Sequence, residues 1–230
     1  MFNEGLTLSS LAQINWEKVC KLPWHLDIEE EPKEKHGIEY WNNRAKTMYE
    51  GENYFCERAM AFLNYAKIPK NSSVVDIASG IGALAIPLLK DDCSVTAIDI
   101  SDYSLEILKE KNTYDKTKLK TINGYFREAA ASLEACDYVL NFYSLGVVCL
   151  DREGKTDLAD TLLKMNALAK KKVIITMPAN EEKDIACVHA NSYYWILYGA
   201  LLSLGIVAKL DFKWYDEIGT LGYISWEPVK

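Results

Sequence analysis

The sequence predicts an α/β fold: a doubly wound, mostly parallel seven-stranded sheet with a C-terminal antiparallel hairpin, preceded by a helical segment. Three observations carry this. Beyond Asn71, β-rich runs and helical patterns alternate, which is the order of a parallel sheet with crossover helices. The last two β-rich runs, "IVAKLDFKWY" and "LGYISWEP", are joined only by a few residues around "DEIGT". A parallel crossover needs a dozen or more residues, so this pair must be antiparallel. Finally, the first strand enters a glycine-rich turn, "VVDIASGIGALAIPLL", the geometry that holds a nucleotide beyond a strand's carboxyl end.

Residues 1–36 read as a helix around Leu8 to Cys20 and a charged linker, "DIEEEPKEK". Residues 37–70 hold two helical patterns split by "EGEN"; in the second, Phe55, Ala59, Phe62, Leu63 and Ala66 recur at helical spacing and mark an apolar face. Residues 71–230 form the core, the whole chain making one compact domain. Its strands are "SVVDI", "SVTAID", "LKTIN", "DYVLNF" and "KVIITM", followed by the closing pair. Between the second and third strands, "SDYSLEILKEKN" is a helix capped by Ser101 with Asp102 in its first turn. A later helix places Leu158, Leu162, Met165 and Ala169 on one face, and another spans about Ala190 to Leu204. Pro87 falls one turn into the helix after the glycine turn and is expected to kink it.

Bulk properties narrow the function. The 230 residues are long enough for one domain with a sizeable core, and a formal charge of −7 argues against a nucleic-acid partner. The cluster Lys164, Lys170, Lys171 and Lys172 lies where a helix should end, and cations there suit its dipole. Six scattered cysteines without a C-x-x-C pair, and three histidines, predict neither a disulfide framework nor a metal site. The start, "MFNEGLTLSS", lacks the basic and apolar regions of a signal peptide. The run "YYWILYGALLSLGIVA" is shorter than the roughly 20 apolar residues of a membrane span. A cytoplasmic protein with a small-molecule substrate and no membrane partner is expected; nothing indicates its oligomeric state.

The glycine turn fits two cofactor classes. Gly80-x-Gly82-x-x-Ala85 matches a dinucleotide fingerprint, and Asp76-x-x-x-Gly80-x-Gly82 matches an S-adenosylmethionine (SAM) loop. Asp99 ends the second strand, where its carboxylate can accept both ribose hydroxyls of either adenosine. Three features favour SAM. Asp76 would repel a pyrophosphate but suits an ammonium and a sulfonium. About 70 mostly helical residues precede the unit, whereas a dinucleotide unit normally opens its domain. The terminal hairpin is foreign to the usual dinucleotide sheet.

On "VVDIASGIG", "VTAIDIS", "CDYVLNFYSLGVV" and the closing hairpin, residues 38–230 resemble the class I SAM-dependent methyltransferases, a Rossmann-like family. The segment "YWNNRAKTMY" is similar to the lid that precedes the core in many small-molecule members. The resemblance implies Asp76, Ala78, Gly80 and Gly82 around the methionine end of SAM, Asp99 on the ribose and Ile100 against the adenine. It also implies Asn141 on the methyl-transfer side and Tyr49 closing over the cofactor. Ala78 replaces the first of the family's three glycines, which requires its φ to stay negative. Tyr125 stands where many members carry an acid for the adenine amino group, leaving that contact to backbone near Phe126.

Arg44 reads as a solvated helix residue or a partner for a carboxylate of cofactor or substrate. Asn141, Tyr143 and His189 are the candidates for a catalytic role, Tyr143 as a pocket wall and His189 as a general base. A sulfonium is already activated, so alignment in a dry site is the main requirement and an acid–base dyad is not needed. Two rival readings stay open: a nicotinamide-dependent reductase, and a SAM-binding module without transferase activity.

Overall fold

The computed structural model describes residue 15 and residues 37–50, 53–178, 188–215 and 219–229. The expected Leu8–Cys20 helix, Asn15 apart, and the charged linker lie outside the described residues.

Two helices precede the sheet, α1 (Ile38–Glu50) and α2 (Asn53–Ala66). Then follow β1 (Ser73–Ile77), α3 (Ala85–Lys90), β2 (Ser94–Asp99), α4 (Asp102–Lys111) and β3 (Leu119–Asn123). The short α5 (Phe126–Ala129) leads to β4 (Cys136–Phe142), the short α6 (Leu145–Val148), α7 (Leu158–Leu168) and β5 (Ala169–Pro178). The chain ends with α8 (Val188–Ser203), β6 (Lys209–Tyr215) and β7 (Gly219–Trp226). The seven strands form one sheet in the order β3-β2-β1-β4-β5-β7-β6. The first five pair in parallel, and β7 lies between β5 and β6, antiparallel to both. The order reverses between β1 and β4, so a crevice opens there beyond the strands' carboxyl ends.

Apolar faces on both sides of the sheet explain the near-continuous hydrophobic strands. One face joins Val75, Ile77 and Val139 to Leu162 and Met165 of α7 and Leu197 and Leu201 of α8. The other joins Val74, Ala97, Leu140 and Ile174 to Ala59 and Phe62 of α2 and Leu88 of α3. Burying Phe62 completely contributes roughly 1.5–3 kcal/mol and fixes α2 on the sheet. The same helix grips the hairpin. Tyr65 stacks on Tyr223 with ring centroids 3.9 Å apart, and its hydroxyl donates to Asp211 Oδ2 at 2.7 Å. Burial, helped by that carboxylate, pushes the Tyr65 phenol up to about 12.

Ser101 caps α4 as expected, its Oγ accepting from the Ser104 N–H at 3.0 Å. The expected kink at Pro87 takes another form. Turns occupy residues 80–84 and α3 begins only at Ala85, so Pro87 lies in its first turn, where a missing N–H costs least. The last crossover also differs from expectation: Gly205 has φ +74° and the strand starts at Lys209 rather than Ile206. The lysine run does not lie at a helix end as expected: α7 stops at Leu168 with no basic residue in its last turn. Lys170, Lys171 and Lys172 belong to β5, while Lys164 and Lys171 are ion-paired with Asp160 and Asp137. Among the described residues no helix is long and apolar enough to cross a membrane.

Candidate active site

The turn after β1 is built from left-handed backbone. Ala78, Gly80 and Gly82 have φ +57°, +53° and +97°. Ala78 therefore contradicts the expected negative φ. An L-residue in this region costs about 1–2 kcal/mol, and bonds around the turn hold it there. Ser79 N–H donates to the Ile98 carbonyl at 3.0 Å, and Gly82 N–H donates to the Ser79 carbonyl at 3.1 Å. The two glycines serve different ends. A Cβ on Gly82 would lie 2.5 Å from Leu108 Cδ1, so this position is needed for packing against α4. A Cβ on Gly80 would meet nothing within 4 Å; it would enter open space in the crevice.

Asp99 faces that space and also holds the turn. Its Oδ2 accepts from Gly80 N–H at 2.8 Å and its Oδ1 from Ser101 N–H at 2.8 Å. A carboxylate offers about four lone-pair sites, so two remain for a pair of ligand hydroxyls. Burial raises the Asp99 carboxyl above the usual range, against the lowering effect of the Ser101, Gly80 and Ile100 N–H groups. Asp76 is more deeply placed. It is 1% exposed, and its Oδ2 has no hydrogen-bond partner among the described residues. Burial, with the Asp99 charge adding to it, pushes its carboxyl up to about 7.

A cavity of about 670 Å³ runs from this turn to the end of β4. Ala78, Gly80, Gly82, Asp99 and Ile100 line it, as expected from the sequence. Gly124, Tyr125 and Phe126 line it beside Asp99, where Gly124 N–H donates to the Asp99 carbonyl at 2.9 Å. At the other end stand Phe142, Tyr143, Val147 and Val148, with Tyr40, Trp41, Arg44 and Ala45 of α1 and Met60 of α2. Trp41 Nε1 is buried there without a partner among the described residues.

Asp76 and Asn141 are not in the lining. Asn141 is fully buried, and its Nδ2 donates to the Ile77 carbonyl at 3.0 Å, clamping β4 to β1 behind the wall. The side chains of Tyr49 and His189 lie outside the described ones. Among the described residues no group of acidic, histidine or cysteine side chains could hold a metal.

Tyr40 and Trp41, expected as aromatics of the lid segment, line the cavity, whereas sequence reasoning assigned no role to Gly124 or to the α6 residues Val147 and Val148. Gly124 carried a usable signal, a glycine directly after the third strand. The short α6 had none, because one turn of helix leaves no periodicity to read.

Residues 74–170 match the family model described as "Methyltransferase domain". Over those residues the chain is similar to a methyltransferase domain. No curated protein matches the chain. Among solved structures, a putative SAM-dependent methyltransferase from Methanococcus maripaludis is 20% identical with a TM-score of 0.60, covering 87% of this chain and 97% of its own. A SAM-dependent methyltransferase from Aquifex aeolicus is 15% identical with a TM-score of 0.60, covering 82% and 98%. Magnesium protoporphyrin IX methyltransferase from Synechocystis PCC 6803, solved with bound S-adenosylhomocysteine (SAH), is 14% identical with a TM-score of 0.53, covering 76% and 82%. At these identities the likeness is one of fold.

The residues present fit SAM, the cosubstrate expected from the sequence. Gly80 leaves open the space a ligand needs against the turn, and Asp99 keeps lone pairs for ribose hydroxyls. Asp76, buried with an orphaned oxygen at the root of the turn, lies behind this lining rather than in it. The reductase reading is thereby set aside.

Proposed function

We propose that this cytoplasmic methyltransferase transfers the methyl group of SAM to a small-molecule acceptor by in-line displacement. The observation that supports the reading is the continuity of the cavity. One space of about 670 Å³ joins the glycine turn to the end of β4 beneath α1, within the size of small-ligand sites. SAM, when bound, supplies a methyl group already activated by its sulfonium. The chain's own residues then have three tasks. Gly80, Asp99 and Ile100 hold the adenosine and methionine parts; Phe142, Tyr143, Val147 and Val148 wall the acceptor; and Tyr40, Trp41 and Ala45 exclude water. Asp99 is the only carboxylate in the lining among the described residues, and it is committed to the turn. Alignment and desolvation therefore account for catalysis without an acid–base pair.

The test is to incubate the protein with methyl-labelled SAM and extract separated into small-molecule, RNA and protein fractions. Label in the small-molecule fraction is expected. Label confined to RNA or protein would overturn the acceptor class, and SAH binding without transfer to any fraction would leave a binding module.

A further inference from the structure

Two walls of the cavity rest on helices too short to stand alone. Tyr125 and Phe126 line it beside Asp99, where the four-residue α5 begins. Val147 and Val148 line it from α6, also four residues long. A single helical turn is unstable in isolation, because fixing its backbone costs more than its few hydrogen bonds return. Neither turn has a side-chain cap at its start; the Ser144 hydroxyl donates to the Phe142 carbonyl instead. Phe126, Leu145 and Val148 are buried in one apolar cluster that supports both turns.

Polar contacts join the two turns directly. Arg127 follows Phe126 and reaches the chain that leaves α6. Its Nη1 donates to the Lys155 carbonyl at 2.9 Å and to the Cys149 carbonyl at 3.4 Å, and lies 3.5 Å from Asp151 Oδ2. Its Nε donates to Asp160 Oδ2, on α7, at 2.9 Å. The neighbouring Glu128 accepts from Arg152 Nη2 at 3.0 Å and from the Arg152 N–H at 3.3 Å. The gripped segment is itself closed: Leu150 pairs with Thr156, and Asp157 N–H donates to the Cys149 carbonyl at 3.0 Å. Cys149 is the residue after Val148, so the grip lies directly behind the acceptor wall. A guanidinium fork can address carbonyls and carboxylates in several directions at once, which an ammonium on one stem cannot do as rigidly. The Arg127 side chain is only 15% exposed, so its bonds are screened less than those of the exposed Glu128–Arg152 pair.

We infer that Arg127 is a positioning residue for methyl transfer, tying the wall beside Asp99 to the acceptor wall. Each turn alone opens readily. A cofactor seated against α5 raises the cost of opening α6 as well, because the clamp makes the two turns share it. The acceptor wall is therefore ordered by the cofactor, and the acceptor binds second. The inference rests on the reading that the cavity holds SAM and a small acceptor, and it adds the order in which they bind.

The experiment measures hydrogen exchange of the full chain with and without saturating SAH, following amides 124–129 and 145–150 separately. In the wild type SAH should slow exchange in both segments, by about 5-fold or more. Arg127→Met should still bind SAH and keep the slowing at 124–129, yet lose it at 145–150. Arg127→Lys, which keeps the charge without the fork, should restore part of it. A purely structural role would speed exchange at 145–150 equally with and without SAH. That unchanged ratio in Arg127→Met overturns the inference, as does wild-type exchange at 145–150 that ignores SAH. Should Arg127→Met fail to fold, Arg152→Ala breaks the exposed end of the clamp and should reduce the ratio at 145–150; an unreduced ratio there overturns the inference. In each of these cases SAH binding leaves the methyltransferase reading standing. Failure of SAH to bind overturns both.

Discussion

An alanine at φ +57° in the glycine turn, followed by glycines at φ +53° and +97°, shows how one loop separates shape from space. Ala78 is held in the strained backbone by the hydrogen bonds around the turn. Gly82 and Gly80 exclude side chains for opposite reasons, and substitution tells them apart. Gly82→Ala forces a Cβ against Leu108 and should lower stability by a few kcal/mol, read as a shifted urea midpoint. Gly80→Val should weaken SAH binding at least about 100-fold, through lost cofactor space and loop strain, with a smaller loss of stability. Near wild-type SAH affinity in Gly80→Val would place the ligand elsewhere. Asp76 supplies a pH signature. Its folded-state pKa is raised to about 7 from 3.8, so the folded protein holds a proton that the unfolded chain has released. Stability of the ligand-free protein therefore falls as pH rises from about 4 to about 7, then levels off. Asp76→Asn should remove this slope and stabilise the ligand-free protein by of the order of a few kcal/mol at pH 8, less at pH 5. A slope unchanged in the variant would contradict the assignment.

At the scale of elements, α1 is the piece whose role rests on few contacts. Its Asn42 bridges to the start of α4: Ser101 Oγ donates to Asn42 Oδ1 at 2.6 Å, and Asn42 Nδ2 donates to Asp102 Oδ1 at 3.0 Å. Lys46 adds a contact 5.4 Å from the Tyr103 ring. These partners adjoin Asp99, so α1 and the cavity-lining carboxylate share one anchor. Asn42→Ala should speed hydrogen exchange of amides 38–50 and weaken SAH several-fold, while leaving exchange in β1 and β4 unchanged. Exchange unaltered by the substitution, or by SAH in the wild type, would make α1 mere packing. This element was legible in the sequence as an aromatic-rich helix resembling a lid. Which aromatics face the cavity was not, since "YWNNRAKTMY" carries polar residues on most faces and its docking is set by Asn42 meeting a cap formed 59 residues later.

At the scale of the molecule, the sheet was the legible part. Strand-helix alternation specified the parallel strands, and the short link at "DEIGT" specified the antiparallel end. What remained hidden depends on contacts between distant segments. The insertion of β7 between β5 and β6 is secured by Tyr65 and Tyr223, from opposite ends of the chain. The Arg58–Tyr143 pair likewise joins a helix before the sheet to the end of its fourth strand. Residue patterns announce where the cofactor turn lies, because its shape is local; they say little of the acceptor wall, which three separate segments assemble.

The central claim is that the turn and Asp99 bind the adenosine and methionine parts of SAM. Titration calorimetry of the full chain with SAH, and separately with NAD and NADP, tests it most directly. The account predicts one SAH site per chain, no binding of either dinucleotide, and an affinity about 10- to 100-fold weaker in Asp99→Ala, from the loss of charge-assisted bonds to two hydroxyls. Binding of a dinucleotide in preference to SAH, or an SAH affinity untouched by Asp99→Ala, would contradict it.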